Sequence, residues 1–171
     1  ITYTGSRKNP SYLALVTDAY SKKIMGYDVS TTLEVAGSLR AVEMALKKRV
    51  YKDRPLIHHS DRGLQYCSNE YQRILQDNDI DTSMTEKYDP YENAIAERVN
   101  GILKQEFAIA AFGTKIETKK AIIKEAVYLY NTLRPHMSNH MLTPNQMHKQ
   151  QKLKRKKYKS KKLNNDVIVQ L

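Results

Sequence analysis

The chain has 171 residues, with 29 Lys and Arg against 18 Asp and Glu, giving a net charge of +11 and a pI near 9.6. That length accommodates one domain with a real core plus an appendage, and no stretch approaches the roughly 18 apolar residues that a membrane span requires. A single cysteine, Cys67, excludes a disulfide framework and a thiolate metal cluster, while the basic balance favours a polyanionic partner.

The charge is unevenly spread. Nine cations and no acid lie between Lys149 and Lys162, so the body that precedes them is only mildly basic. This divides the chain into a globular part, residues 1–148, and a basic tail, residues 149–171. No signal peptide is visible, and the chain opens at Ile1 directly in strand-like sequence, which predicts a fragment or a processed product.

Ile1-Thr2-Tyr3-Thr4 reads as the end of a strand before a polar turn at Gly5 to Pro10. Tyr12 to Thr17 and Lys23 to Val29 follow as strands, giving an antiparallel half-sheet. Thr31 to Glu34 has the form of a capping box, and Val35, Leu39, Val42 and Leu46 recur at helical spacing after it. Leu56-Ile57-His58 is a short strand reached across that helix, hence expected to run parallel to its neighbour. Asp61 then falls at the carboxyl edge of a strand, where open α/β sheets place ligands.

Ser68 is expected to cap a helix bearing Tyr71, Ile74 and Leu75, and Asp79 to Met84 reads as a further strand. Thr85 to Pro90 has no periodicity and reads as a loop. From Tyr91 to Phe107 the positions Ile95, Val99, Ile102 and Leu103 form one apolar stripe. Thr114 to Glu117 resembles a second capping box, opening a helix with Ile122, Ala126, Leu129 and Leu133 on one face and stopping before Arg134-Pro135. Thr143-Pro144 is a candidate helix start.

Asp61 and Glu97 are separated by 35 intervening residues. Residues 95 and 97 lie about 200° apart around a helix, so Glu97 points away from the core stripe. The same geometry groups Asn93, Glu97, Gly101 and Lys104 on one face, a surface suited to a phosphate backbone. Gly101 costs a helix up to about 1 kcal/mol relative to Ala, which suggests that something must approach closely there. Alone, Glu97 reads as a solvated helix residue and Asp61 as ordinary turn chemistry. Paired in a basic protein they suggest a hard-cation site for phosphoryl transfer, for which two or three carboxylates suffice.

Other residues invite a metal reading and are set aside. His58 and His59 are adjacent on a strand and so point to opposite faces, Cys67 is expected to pack as a small hydrophobe, and the helix that would align His136 with His140 is disfavoured beside Pro135. A carboxylate-pair glycosidase is disfavoured by the basic charge.

The runs HHSDRGLQY (58–66), SMTEKYDPYENAIAER (83–98) and YNTLRPH (130–136), in that order, resemble the catalytic core of insertion-sequence transposases of the retroviral-integrase type. The resemblance spans residues 1 to about 148. It implies an α/β, ribonuclease H-like fold with a mixed five-stranded sheet flanked by helices. It also implies an Asp, Asp, Glu triad holding two Mg²⁺ or Mn²⁺ ions, with the second Asp and the Glu falling on Asp61 and Glu97 as catalytic and metal-binding residues. The implied activity is DNA cleavage and strand transfer by in-line attack, in a homo-oligomer that brings transposon ends and target DNA together in the bacterial cytoplasm at the nucleoid. Lys104, with Asn93 and Gly101, would contact DNA.

The family pattern sets the first Asp immediately before an Ile-Thr-Tyr strand, so the first metal ligand is expected just ahead of Ile1. Asp18, the nearest carboxylate within the chain, matches a turn position instead. Glu92 replaces the usual Asp, and Tyr88 a common Gly. The alternative to an enzyme is an inactive remnant of the same fold that only binds nucleic acid. In either case the tail, with Lys154, Arg155, Lys156 and Lys157 at its centre, is read as a sequence-independent DNA-binding arm.

Overall fold

The computed structural model describes residues 1–6, 9–50, 52–85, 93–111 and 115–154. Their order is β1 (Thr2–Tyr3), β2 (Tyr12–Thr17), β3 (Ile24–Ser30), α1 (Val35–Lys47), β4 (Leu56–Ser60), α2 (Asn69–Gln76), β5 (Ile80–Met84), α3 (Ala94–Gln105), α4 (Ile116–Thr132), a 3₁₀ turn (Met137–Asn139) and α5 (Pro144–His148). Among them no helix is long and apolar enough to cross a membrane.

Strand alternation divides the interior into two cores. β2 and β3 pair antiparallel with Leu13 opposite Val29 and Leu15 opposite Tyr27, and all four side chains join the core formed with α3 and α4. Ala14, Val16 and Met25 turn the other way, toward α1, α2 and Ile80 of β5. A sheet buried on both faces by helices results, which is the three-layer α/β arrangement expected.

α1 lies close to this sheet because its contact face is built from small residues, with Gly37, Ser38, Ala41 and Ala45 buried beside Leu39 and Val42. Opposite them stands Gly26. A Cβ there would overlap the Ala41 carbonyl oxygen and lie 2.9 Å from the Ala45 nitrogen, so the helix backbone occupies the space of a side chain.

The run YNTLRPH is spent on docking α4. Asn131 receives the Ile24 amide on Oδ1 at 3.0 Å and donates from Nδ2 to the Ile24 carbonyl at 3.0 Å, replacing a neighbouring strand where β3 begins. Tyr130 donates its hydroxyl to the Lys22 carbonyl at 2.8 Å. Arg134 grips both oxygens of Glu106 at 2.6 Å, tying the end of α4 to that of α3. Thr143-Pro144 does start a helix, with Thr143 closing a capping box with Gln146, and α5 places His148 Nδ1 2.9 Å from Asp18 Oδ2.

Several expectations need correction. The sheet is not five-stranded: β1-β2-β3 form one antiparallel sheet and β4-β5 a separate parallel pair. β1 contains only Thr2 and Tyr3, both paired with β2. The amino group of Ile1 donates to the Tyr66 hydroxyl at 3.1 Å and not to a β4 carbonyl, so no ladder joins the two sheets.

Neither expected capping box opens its helix. A box closed by Thr31 would make that residue the N-cap of α1, whereas the helix starts at Val35 with Glu34 itself as N-cap. α4 begins at Ile116 behind Lys115, which makes no side-chain cap, and Thr114 lies outside the described residues. Ser68 does cap α2, accepting from the Tyr71 amide. Cys67 is exposed and not packed inside. His140 takes a left-handed conformation after the 3₁₀ turn, so it is not aligned with His136 on one helix.

Substituting Gly26→Ala forces α1 away from β3, an overpacking cost of about 2 kcal/mol. Urea denaturation should show that loss, and the melting temperature should fall by about 4–8 °C.

Candidate functional site

Asp61 immediately follows β4, whose register with β5 runs from Leu56 opposite Ile80 to Ser60 opposite Met84. The chain then turns sharply. The Gly63 amide donates to Asp61 Oδ1 at 3.0 Å, and a Cβ at Gly63 would crowd that same oxygen at 3.0 Å. The Asp61 carboxylate is thereby fixed at the strand edge, exposed to solvent.

Glu97 stands in the first turn of α3, where its charge complements the helix dipole, and it too is exposed. Val99, Ile102 and Leu103 of the same helix are buried, so the expected division into core stripe and polar face holds; Ile95 is half-buried. Asn93 is the N-cap of α3 without a side-chain cap bond. A Cβ added to Gly101 would meet no atom within 4 Å among those described, so no protein group needs the glycine. Lys104 is half-buried in the last turn. Arg155, Lys156 and Lys157 lie outside the described residues, whose last member, Lys154, is exposed.

The amino terminus links these elements. Burial lowers the pKa of the Ile1 ammonium, the Asp61 carboxylate opposes that effect, and Lys104 adds to it. The start of β1 therefore lies within electrostatic reach of both the β4 edge and α3, and Glu97 stands two turns toward the start of that helix from Lys104. Asp18 is elsewhere and engaged. Burial would raise its pKa, but bonds from His148, from Ser21 Oγ at 2.5 Å and from the Tyr20 amide hold it below the ordinary range.

A cluster of rings sits behind the Asp61 turn. His58 Nε2 lies 3.2 Å from the Tyr71 hydroxyl, and the Tyr66 ring packs edge-on against Tyr71 with centroids 5.3 Å apart. Burial and the Asp61 charge both raise the pKa of Tyr66. His58 is 5% exposed, and burial followed by repulsion from His59 depresses its pKa to about 4. His59 faces Ser83 across the ladder, Nδ1 to Oγ at 3.0 Å. The two histidines thus reach different partners and do not converge on one site, as their adjacency on a strand predicted. Sequence reasoning passed over Arg62 and Tyr66 as individuals, although both stand in the run that carries Asp61.

Exposed carboxylate oxygens are the donors a hard divalent cation prefers. Asp61 and Glu97 fit such an ion in donor type. Among the described residues, no group of three or more His, Cys, Asp or Glu is placed to hold a metal.

Two models of the integrase core domain match the chain, one over residues 1–90 and one over 78–144. The transposase for insertion sequence element IS904 of Lactococcus lactis is 34% identical over 140 residues, covering 80% of this chain and 54% of the relative. The transposase InsF for insertion sequence IS3A of Escherichia coli is 37% identical over 106 residues, covering 62% of this chain and 36% of the relative. The chain thus spans about half or less of the length of these curated relatives.

Among solved structures, the HTLV-2 integrase catalytic core domain superimposes with a TM-score of 0.66 at 19% identity, covering 86% of this chain and 90% of that one. A chain of the simian T-cell lymphotropic virus intasome gives 0.71 at 19% identity, covering 97% and 58%. Both establish the integrase-core, ribonuclease H-like fold.

The depressed His58 pKa has a definite consequence for stability. Above pH 6.5 the ring is neutral in both states, whereas between 6.5 and about 4 the unfolded chain takes up a proton that the folded chain refuses. Stability should therefore fall as pH drops through that window, by on the order of 3 kcal/mol from this residue. Urea titrations at pH 7 and pH 4 should show the difference shrink in His58→Gln.

Proposed function

The chain belongs to the integrase core domain family, and from that premise we propose that it is the core of a metal-dependent transposase that cleaves DNA and joins strands by in-line phosphoryl transfer. What supports this reading is that Asp61, fixed by its turn at the end of β4, and Glu97, in the first turn of α3, both leave their carboxylates exposed. Asp61 and Glu97 would hold divalent ions, Mg²⁺ or Mn²⁺. When bound, such ions lower the pKa of an attacking water or 3′-hydroxyl and neutralise charge on the departing oxygen.

The chain's own groups position the DNA. Lys104 lies on the face of α3 that carries Glu97, and a lysine there neutralises a backbone phosphate without reading sequence. Asn93 offers a side-chain amide at the helix start, and Gly101 leaves room for a sugar-phosphate chain to pass. The tail, with Lys154, Arg155, Lys156 and Lys157, adds affinity through counterion release. In the proposed complex two or more copies hold the transposon ends together. Oligomers are named for a fold relative, the HTLV-2 core domain described in a trimeric form with magnesium.

The family pattern sets the first ligand of the triad ahead of Ile1, and the Ile1 amino group is within electrostatic reach of Asp61. We therefore expect an aspartate placed before Ile1 to complete the site. In a chain extended by that Asp, Asp61→Asn or Glu97→Gln should each reduce Mn²⁺-dependent strand transfer roughly a thousandfold. Retained activity in a gel-based assay on end-labelled DNA would remove both residues from the mechanism.

A second reading is nucleic-acid binding without chemistry, which would use the same α3 face and basic tail. The same assay separates the two readings, since a remnant stays inactive with the added Asp while still binding DNA. Removing residues 149–171 should flatten the dependence of DNA affinity on salt, by about 0.9 in log–log slope for each phosphate that the tail no longer neutralises. An unchanged slope in fluorescence anisotropy titrations would mean that the tail is a spectator.

A further inference from the structure

Asp61 stands in an exposed turn that meets the start of the segment leaving β5. At its start stands Thr85, 9% exposed, whose amide donates to the Ser60 carbonyl at 3.1 Å and extends the β4-β5 ladder by one rung. Its own carbonyl accepts from Arg62 Nε at 2.8 Å. Ser60 and Arg62 flank Asp61, so both backbone polar groups of residue 85 are bound by the two neighbours of the carboxylate.

We propose that Arg62 is a positioning residue: its guanidinium fixes the departure of the segment leading to the Glu97 helix relative to the Asp61 turn. The inference rests on the metal-site reading above. An arginine suits the task because its planar, permanently charged fork donates with a fixed direction to a carbonyl, whereas a lysine ammonium has no preferred plane. The exposed turn around it is anchored on the far side as well. Gln65 Nε2 donates to the Leu33 carbonyl at 2.6 Å, ahead of α1. The turn bearing Asp61 is thus held between two elements, and Arg62 supplies the hold on the side of the segment that leads to Glu97.

An arginine at this place could instead meet a DNA phosphate directly, and the two roles leave different traces. A positioning residue changes turnover once DNA is bound, while a phosphate contact changes DNA affinity and its salt slope. The test uses the chain extended by an aspartate before Ile1, as Arg62→Ala, Arg62→Lys and Asp61→Asn. For Arg62→Ala we expect turnover on saturating end DNA to fall between tenfold and a hundredfold, with DNA affinity within about twofold of the parent and its salt slope unchanged. Millimolar guanidinium should restore part of that turnover, and Arg62→Lys should recover little.

Hydrogen exchange at the Thr85 amide supplies a readout independent of chemistry. It should quicken in Arg62→Ala and stay at the parent value in Asp61→Asn. Loss of affinity with a shallower salt slope and unchanged turnover would overturn the proposal in favour of a phosphate contact. Unchanged exchange at Thr85 would overturn it outright. If Asp61→Asn keeps full Mn²⁺-dependent turnover, the metal-site reading fails separately, while the exchange result still decides whether Arg62 holds the segment.

Discussion

The architecture depends on burying both faces of a two-stranded hairpin. In β2 and β3, residues one position apart enter different cores: Leu13 meets α3 and α4, and Ala14 meets α1 and α2. A sheet so covered cannot shift by one residue without exchanging its cores, so register and layer order are set together. The close approach of α1 through Gly26, Ala41 and Ala45 and the Asn131 clamp on Ile24 both presuppose that register. The elements carrying Asp61 and Glu97 contribute to different cores, β4 through Leu56 to one and α3 to the other, so their carboxylates are supported from opposite sides of the hairpin.

The two candidate carboxylates stand at the margins of this scaffold. Asp61 owes its place to the end of the β4-β5 ladder and to a turn only Gly63 admits without crowding. Glu97 owes its place to an apolar stripe that buries Val99, Ile102 and Leu103 and leaves the opposite face to solvent. Neither carboxylate is held by an ion pair among the described residues, which keeps their oxygens available to a cation. Arg134 and Glu106, by contrast, satisfy each other in a bidentate pair, and the Asp18 carboxylate is bound by Ser21 and His148. The chain separates carboxylates that fasten elements from carboxylates left open.

Much of the element order was legible because it rests on local periodicity. The β2-β3 alternation, the α3 stripe, the Ser68 and Thr143 caps and the stop before Pro135 are all signals carried within a few residues. The failures are equally physical. Thr31-to-Glu34 and Thr114-to-Glu117 have the composition of capping boxes, but tertiary packing decides which residue begins each helix, and it chose Val35 and Ile116. The average behaviour of cysteine puts Cys67 inside; its place in the exposed turn before α2 overrides that tendency. Family likeness implies a continuous sheet, whereas two residues of β1, both paired with β2, leave β4 without a partner on that side.

By itself the sequence determined the identities and chemical types of the candidate site: two carboxylates 35 residues apart, a helix face with a glycine and a lysine beside one of them, and a basic tail. These are properties of spacing and charge, which a chain carries before it folds. Only the tertiary structure decided that Arg62 spends its guanidinium on Thr85, that Asn131 substitutes for a strand at Ile24, and that Asp18 is fastened to His148. Those bonds join residues 23, 107 and 130 positions apart. Such pairings are fixed by the packing of whole elements, which no local pattern encodes.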